Sequence, residues 1–405
     1  MSNRKNKYQS PQGPPPGGPP GRSGGRPPPG RPGASGKPPG KPPGRPPVGA
    51  PPGYGGYGTN TFSIFQQQGV GSNVKIQPGH NIRNINESNQ LFDSKIKNYD
   101  YKYSNCQGKR KALLIGINYI GTKNKLNGCI NDVKNVEQFL IENGYQEDDI
   151  VKLVDTANFE RAIPTRTNII DAMEWLVKDA KENDSLFFHF SGHGGLTEDK
   201  NNIEYDGFAQ VIYPLDFETN GSIIDYDLHT LLVKPLPKGC RLTTIFDCCH
   251  SGSILNLPYM YSTKGVIKQP NILAEVQDGL IDTVTSSLLS GTFQATKLLT
   301  LVGTAAFKKF NNDKIFEQQK KTNTSPADVI SLSGCKDNQT SADSKIGGMA
   351  TGAMSYAFMK VMNSGQAQSY ISLLNNIREI LDGQYSQKPQ LSASHPIDVN
   401  IKFIF

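Results

Sequence analysis

Two short segments of this chain end an apolar run with small and reactive residues. The first is FHFSGHGG, residues 188–195, and the second is IFDCCHSG, residues 245–252. Each pattern predicts a buried strand whose end carries chemistry. One strand end supplies His193 and the other supplies Cys249. A neutral thiol is a poor nucleophile until a base removes its proton, so this pair is the minimal equipment for thiol nucleophilic catalysis.

His193 is the best candidate for the base. Glycines flank it on both sides, which lets the backbone approach a substrate closely, and Gly194 is the predicted backbone donor to an oxyanion. The five other histidines are less suited, because they lie in a linker, inside an apolar strand, in a predicted helix, next to the thiol or next to a proline: His80, His189, His229, His250 and His395.

The chemistry alone leaves Cys248 and Cys249 as alternative nucleophiles. A zinc site built from these two cysteines with His193 and His250 is disfavoured, since adjacent residues rarely direct both sulfurs into one tetrahedron. A phosphate-binding loop at the glycines is excluded, because no Gly-Lys-Ser/Thr follows them.

The two motifs and their surroundings resemble the metacaspases, the caspase relatives of fungi, plants and protists. The resemblance runs from about Lys109 to Phe405 and is closest to the budding-yeast type I members. The stretches that carry it are SGHGG, DCCHSG, VIYPLDFET (211–219), YMYSTKG (259–265), SGCKDNQTSAD (333–343) and YSQKPQLSASHPIDVN (385–400).

The resemblance selects the nucleophile. In caspase-type proteases the histidine precedes the cysteine by about 50 residues, and the separation of His193 and Cys249 is 56. The catalytic thiol of the family directly precedes a His-Ser pair, which implies Cys249. Cys248 then occupies a position where the family has a small residue, with packing or a reserve thiol as its expected role.

The resemblance also implies a substrate pocket. Metacaspases cut after Arg or Lys, and the matching acidic-pocket positions are Asp132 and Asp247, with Ser191 nearby. An acidic group in a cleft pairs with a cationic substrate side chain. Without the family, a solvated helix residue remains an alternative for Asp132.

Calcium is where the sequence departs from the family. The four aspartates of the activating site correspond to Ala209, Asp225, Tyr226 and Asn256, so only Asp225 keeps its carboxylate. Calcium prefers six to eight oxygens with several negative charges. We therefore expect weak or absent calcium dependence and no required cofactor, although Asp206 or Asp227 are potential substitutes.

Residues 1–60 are predicted to be a disordered, basic, Pro/Gly-rich tail. They hold 18 prolines, 16 glycines, nine Lys or Arg and no Asp or Glu. Such a segment favours polyproline II conformations and is either a solvated spacer or a ligand for SH3- or WW-type partners. The remaining 345 residues carry 34 basic and 36 acidic groups, a net charge of −2, which argues against nucleic-acid binding.

Residues 61–108 are predicted to be a linker and residues 109–405 one caspase-like α/β domain. A mainly parallel sheet with helices on both faces is expected, because strands alternate with helices. Residues 109–265 form the large-subunit-like part, 266–325 a connector and 326–405 the small-subunit-like part. The predicted strands are 111–118, 149–155, 185–190, 240–246, 327–334 and a closing strand 400–405; the predicted helices include 129–144, 167–183, 352–363 and 369–383.

No apolar run of 18 residues and no signal segment occurs, so we expect a soluble intracellular protein of the cytoplasm, also present in the nucleus, without membrane contact. Six cysteines at no disulfide-framework spacing predict reduced thiols. The family implies a monomer.

The leading hypothesis is a cysteine endopeptidase specific for Arg or Lys. The family implies a self-processing zymogen with roles in stress-linked cell death and protein quality control. Candidate self-cleavage sites are Lys95, Lys97, Lys102 and the pair Lys320–Lys321. The alternative is a weakly active or non-enzymatic quality-control or adaptor factor that acts through its proline-rich tail.

Overall fold

A computed structural model describes residues 74–85, 100–199, 208–248, 254–267, 320–335, 344–346, 349–382 and 388–405. All of these fall within one compact unit, Gly49–Phe405. The tail, most of the predicted linker and connector, and the predicted nucleophile Cys249 lie outside the described residues, and what the sequence predicts of them stays a prediction.

Seven strands form the main sheet. The strands of the described residues are β1 (Arg110–Gly116), β2 (Ile150–Val154), β3 (Ser185–Ser191), β4 (Gly194–Glu198), β5 (Phe208–Ile212), β6 (Ile223–Ile224), β7 (Arg241–Asp247), β8 (Tyr259–Tyr261), β9 (Asp328–Cys335), β10 (Ser344–Ile346), β11 (Met349–Thr351) and β12 (Lys388–Ala393). The sheet order is β2-β1-β3-β7-β9-β12-β8. The first five strands are parallel. Strand β12 runs antiparallel to β9, and β8 runs antiparallel to β12, so β8 has the same direction as the first five strands.

Helices cover both faces of this sheet. They are α1 (Cys129–Glu142), α2 (Arg166–Val177), α3 (Phe217–Asn220), α4 (Asp225–Leu232), α5 (Ala353–Met362) and α6 (Tyr370–Leu381). One core holds side chains of α1, α5 and α6, and the other holds those of α2 and α4. Within β3, Phe187 packs in the first core and Phe188 in the second, as strand alternation requires. The predicted α/β fold is confirmed. None of the helices in the described part of the chain has the length and apolar character that crossing a bilayer requires.

The predicted closing strand 400–405 is wrong. Only single-residue bridges form there, Ile401 with Arg83 and Lys402 with Ser369. Aromatic packing holds the C-terminal segment instead, because the Phe405 ring stacks on Phe139 with centroids 5.4 Å apart. The sheet is completed by β12 and β8, whose short lengths and polar or proline residues gave no clear strand pattern.

The second predicted helix is shorter than expected. Helix α2 ends at Val177, whereas the sequence pattern predicted residues 167–183. The chain leaves the helix because Lys178 is extended and Asp179 has a φ of +60°. After this turn the chain passes through Asn183 and Asp184 and enters β3 at Ser185.

A buried ion pair joins β7 to β9 at the amino ends of the strands. Arg241 Nη2 donates to Asp328 Oδ2 at 2.6 Å and to the Tyr370 hydroxyl at 2.6 Å. Asp328 also accepts from the backbone N–H of Ser104 at 2.9 Å. Burial alone would raise the pKa of Asp328, but Arg241 and His395 outweigh it and lower that pKa to about 2. This carboxylate therefore stabilises the fold above about pH 4 and loses its contribution as the pH falls toward 2.

We expect Asp328→Asn to lower the free energy of unfolding by about 3–5 kcal/mol at pH 7, because it leaves a buried guanidinium without its counter-ion. Denaturant titration measures this loss. The matched control is Glu182→Gln, which breaks the half-exposed pair with Lys102 and should leave stability nearly unchanged. A loss no larger than that of the control would contradict the structural role of the pair.

Candidate active site

The two sequence motifs meet at the carboxyl edge of the sheet. Strands β3 and β7 are paired so that Ser191 lies opposite Asp247. His193 follows β3 by two residues, and Cys248 follows β7 by one. Cys248 is almost completely buried, at 3% exposure, in keeping with a packing role. Cys249 and His250 lie outside the described residues.

His193 is held through one ring nitrogen. Its Nε2 lies 2.7 Å from the backbone carbonyl oxygen of Asn124. A carbonyl oxygen only accepts, so Nε2 carries the hydrogen and donates it. The neutral ring therefore has its basic lone pair on Nδ1. The Asn124 carbonyl thus orients the His193 ring, and no sequence signal predicts this contact because every residue has a carbonyl.

The loop that carries Asn124 is fixed by Asp155, which follows β2. The Asp155 carboxylate accepts from the N–H of Asn118 at 3.0 Å and of Ile120 at 3.1 Å. The Asn118 side chain in turn accepts from the N–H of Cys129, the first residue of α1. The loop geometry thus follows from the ends of β1, β2 and α1 together.

Tyr119 clamps the backbone of His193. Its hydroxyl accepts from the His193 N–H at 3.0 Å and donates to the Tyr213 carbonyl at 2.6 Å. The Tyr213 N–H in turn donates to the His193 carbonyl oxygen at 3.1 Å. The aromatic rings of Tyr119 and His193 have centroids 4.7 Å apart. Burial raises the pKa of Tyr119 well above its usual range, which keeps the phenol a donor. Sequence reasoning missed this tyrosine.

The three predicted pocket residues are brought together. Asp132 lies in the first turn of α1, Ser191 ends β3 and Asp247 ends β7, and all three are at most 8% exposed. The Ser191 hydroxyl donates to Asp132 Oδ2 at 2.6 Å. The solvated alternative for Asp132 is wrong, because this carboxylate is buried. The role of the three residues in substrate binding stays a prediction.

The segment around Gly352, from the C-terminal part of the chain, contacts both carboxylates. The Gly352 N–H donates to Asp132 Oδ1 at 2.6 Å. Asp247 caps α5 by accepting from the N–H of Met354 at 2.8 Å and of Ser355 at 2.9 Å. A Cβ at position 352 would lie 2.5 Å from the Asp247 carboxyl carbon, so only glycine fits. These contacts satisfy N–H groups that a helix start leaves open.

Gly194 opens β4 directly after His193 and is paired with Ile212. Its position beside the base is compatible with the predicted contact to an oxyanion, which stays a prediction.

The other described histidines are His80, which is exposed, and three buried residues with partners of their own. Burial lowers the pKa of His229, which contacts the Leu255 carbonyl. His395 is buried beside Asp328, with 3.3 Å between His395 Nε2 and Asp328 Oδ1. His189 is fully buried, and its Nε2 lies 2.9 Å from the Ser355 hydroxyl.

The residues at the family's calcium positions do not fit a calcium ion. Both oxygens of Asp225 accept backbone N–H groups, from Gln210 at 2.7 Å and Tyr226 at 2.6 Å. Burial raises the pKa of Asp225 to about 6. Asp227 is 3.8 Å from Arg166, and Asp206 lies outside the described residues. Among the described residues, no group of three or more His, Cys, Asp or Glu side chains is arranged for a metal.

Comparisons with known proteins agree with the geometry. The family profile described as "Metacaspase, peptidase C14 domain" matches residues 110–258. The Metacaspase-1 of Candida albicans is 62% identical over 319 residues, covering 76% of this chain and 70% of that protein. That of Lodderomyces elongisporus is 58% identical over 315 residues, covering 76% and 70%, and that of Schizosaccharomyces pombe is 53% identical over 308 residues, covering 76% and 72%.

A solved structure from Geobacter sulfurreducens is 22% identical, with a TM-score of 0.45 and coverage of 73% of this chain and 97% of that one. That likeness is too weak to carry an argument. The fungal relatives and the profile match, together with a histidine and a buried acidic pocket at the carboxyl edge of a mainly parallel sheet, show that this chain belongs to the metacaspase family of C14 cysteine peptidases.

Proposed function

We propose that this metacaspase is an endopeptidase that cleaves after Arg or Lys with His193 as base and Cys249 as nucleophile. The single observation that carries the proposal is the placement of two buried carboxylates, Asp132 and Asp247, at the sheet edge that also carries His193. Both are close to the point where β7 leads into Cys249.

Catalysis starts with proton transfer from the Cys249 thiol to His193 Nδ1, and the thiolate attacks the peptide carbonyl carbon. The bond from Nε2–H to the Asn124 carbonyl stabilises the imidazolium that forms, since that hydrogen bond strengthens when the ring is charged. The backbone N–H of Gly194 is the proposed donor to the oxyanion. His193 then protonates the leaving amine, and water releases the acyl group from the sulfur.

Specificity follows from charge. Two carboxylates in a pocket of low exposure form a site whose negative charge is offset in part by the N–H groups of 352, 354 and 355. A guanidinium or ammonium group completes that neutralisation. An acidic substrate side chain would add a third negative charge in a weakly screened site, so cleavage after Asp is disfavoured.

The first test compares fluorogenic peptides that end in Arg and in Asp, using the wild type and Cys249→Ala. We expect cleavage of the Arg peptide at least about a thousandfold above that of Cys249→Ala, because the nucleophile is lost, and no cleavage after Asp. Cleavage of the Arg peptide by Cys249→Ala at the wild-type rate would overturn the assignment of the nucleophile. No cleavage by the wild type would favour the alternative of a non-enzymatic factor.

The same assay with added calcium and with chelator tests cofactor use. The family's four positions retain one carboxylate, whose oxygens already accept backbone N–H groups, so we propose that activity needs no calcium. Equal rates in both conditions are expected. A strict calcium requirement would show that residues other than those four positions form the site.

Tyr119→Phe tests the clamp on the base. It removes one hydroxyl that bridges two backbone groups, so we expect kcat to fall about tenfold, the factor for one or two lost hydrogen bonds, with little change in KM. Tyr145→Phe is the matched control, because its buried hydroxyl contacts Ser185 at the far end of β3. Equal kcat values for both variants would contradict the role of Tyr119.

The candidate self-cleavage lysines differ in how firmly their backbone is held. Lys102 lies between Tyr101, whose ring stacks on His395 at 4.1 Å, and Tyr103, which is buried. A protease must draw the cleaved segment into its cleft, and the packed rings on both sides hold the backbone of Lys102 against the domain, so we expect Lys102 to stay intact in the folded protein although its side chain is exposed. Lys320–Lys321 lie in a helical turn, residues 320–323, before β9, and Lys321 is exposed. A single turn unwinds at lower cost than a segment held by packed aromatic rings. Lys95 and Lys97 lie outside the described residues.

We therefore expect cuts after Lys320 or Lys321 and not after Lys102 when purified protein is incubated and its fragments are identified by mass spectrometry. Cys249→Ala should remain uncut. The same fragments from Cys249→Ala would show that another protease makes them, and a cut after Lys102 in folded protein would contradict the packing argument.

A further inference from the structure

His189 lies beneath the acidic pocket and has no part in the mechanism described above. It sits two residues before Ser191 on β3, so both side chains emerge on the same face of the sheet. Helix α5 packs on β7, the neighbour of β3 in the sheet, and brings Ser355 to within 2.9 Å of His189 Nε2. The histidine is fully buried, where an apolar residue would avoid the cost of burying a polar ring.

The carboxylate of Asp247 determines the direction of the hydrogen bonds that Ser355 makes. The Ser355 hydroxyl lies in hydrogen-bond contact with Asp247 Oδ2, and a carboxylate accepts, so the hydroxyl donates. The oxygen of Ser355 then accepts from Nε2–H of His189. The result is a directed chain from His189 through Ser355 to Asp247.

The other ring nitrogen does not compete with this chain of hydrogen bonds. His189 Nδ1 is buried and has no hydrogen-bond partner within the described part of the chain. The Asp247 carboxylate oxygen is 3.6 Å from Nε2, beyond hydrogen-bond distance. His189 therefore reaches Asp247 through the Ser355 hydroxyl.

Ser355 needs its partner to keep this orientation. A serine in the first turn of a helix can rotate its hydroxyl toward other acceptors. The N–H of His189 occupies one acceptor direction of the oxygen and leaves the proton aimed at Asp247. With the N–H groups of Met354 and Ser355, three donors converge on Asp247 and hold its carboxylate plane.

We propose that His189 and Ser355 are positioning residues for substrate specificity, which hold the Asp247 carboxylate in the orientation that binds a cationic substrate side chain. The inference rests on the proposed Arg/Lys specificity. A histidine inside an apolar strand would otherwise be interpreted as a core residue, and the proposal gives His189 a further role.

Paired peptides that end in Arg and in citrulline isolate the charge recognition, because citrulline is a neutral side chain of nearly the same shape. For each variant the ratio of the two kcat/KM values is measured, together with kcat and KM for the Arg peptide. We expect Ser355→Ala and His189→Met to reduce the ratio about tenfold, the factor typical of one hydrogen bond to a charged group, through KM for the Arg peptide and with kcat nearly unchanged.

Conservative variants test whether the hydrogen-bonding group alone restores the Arg-to-citrulline ratio. Ser355→Thr keeps the hydroxyl and His189→Gln keeps an N–H donor, so both should retain most of the wild-type ratio. Ser392→Ala is the matched control, a buried serine on β12 that lies three strands from β3 in the sheet order, and it should leave the ratio unchanged. A variant that merely loosens the fold lowers both kcat/KM values by the same factor.

Measurements on the wild type distinguish a failure of the proposed Arg/Lys specificity from a failure of the positioning role. If the wild type does not prefer Arg over citrulline, the proposed specificity itself fails, whatever the variants do. If it does and Ser355→Ala keeps the wild-type ratio, the specificity stands and the positioning role is refuted. If His189→Met does not fold, Ser355→Ala compared with Ser355→Thr still decides the outcome.

Discussion

The pairing register of β3 with β7 is the constraint on which the site depends. Ser191 lies opposite Asp247, so the two strands end at the same level and deliver the His193 and Cys249 segments to one edge. Side chains alternate along a strand, so a slip of one residue would turn Asp247 toward the face of α2 and α4. The register is held by buried neighbours on both faces, such as Phe187 in one core and Phe188 in the other.

The pocket joins two distant parts of the chain. Asp132 and Asp247 come from the first part, and the N–H donors of 352, 354 and 355 come from the second. The carboxylates thereby satisfy the open start of α5, and the helix start stabilises two charges that would be costly to bury alone. The start of α5 and the two buried carboxylates are therefore held by the same hydrogen bonds.

The two ends of the sheet use polar groups for different purposes. At the amino ends, Arg241 and Asp328 form a closed pair that ties β7 to β9. At the carboxyl ends, the carboxylates accept from weaker neutral donors, so their charge is stabilised without being cancelled. A fixed cation at the second location would neutralise the two carboxylates, and would compete with the cationic substrate side chain proposed above.

The sequence by itself determined the alternation of strands and helices and the sheet edge at which the two motifs meet, and it offered His193, with the three pocket residues that the resemblance implies, as candidates. These come from apolar periodicity and from motifs that are continuous along the chain, aided by the family resemblance. It did not reveal the Asn124 carbonyl, the Tyr119 clamp or the chain from His189 to Asp247, and it placed a strand at 400–405 where aromatic packing holds the segment. Only the tertiary structure decided these features, because each depends on which backbone and side-chain groups from distant segments meet, and no local pattern along the chain marks a carbonyl, a tyrosine or a buried histidine for such a contact.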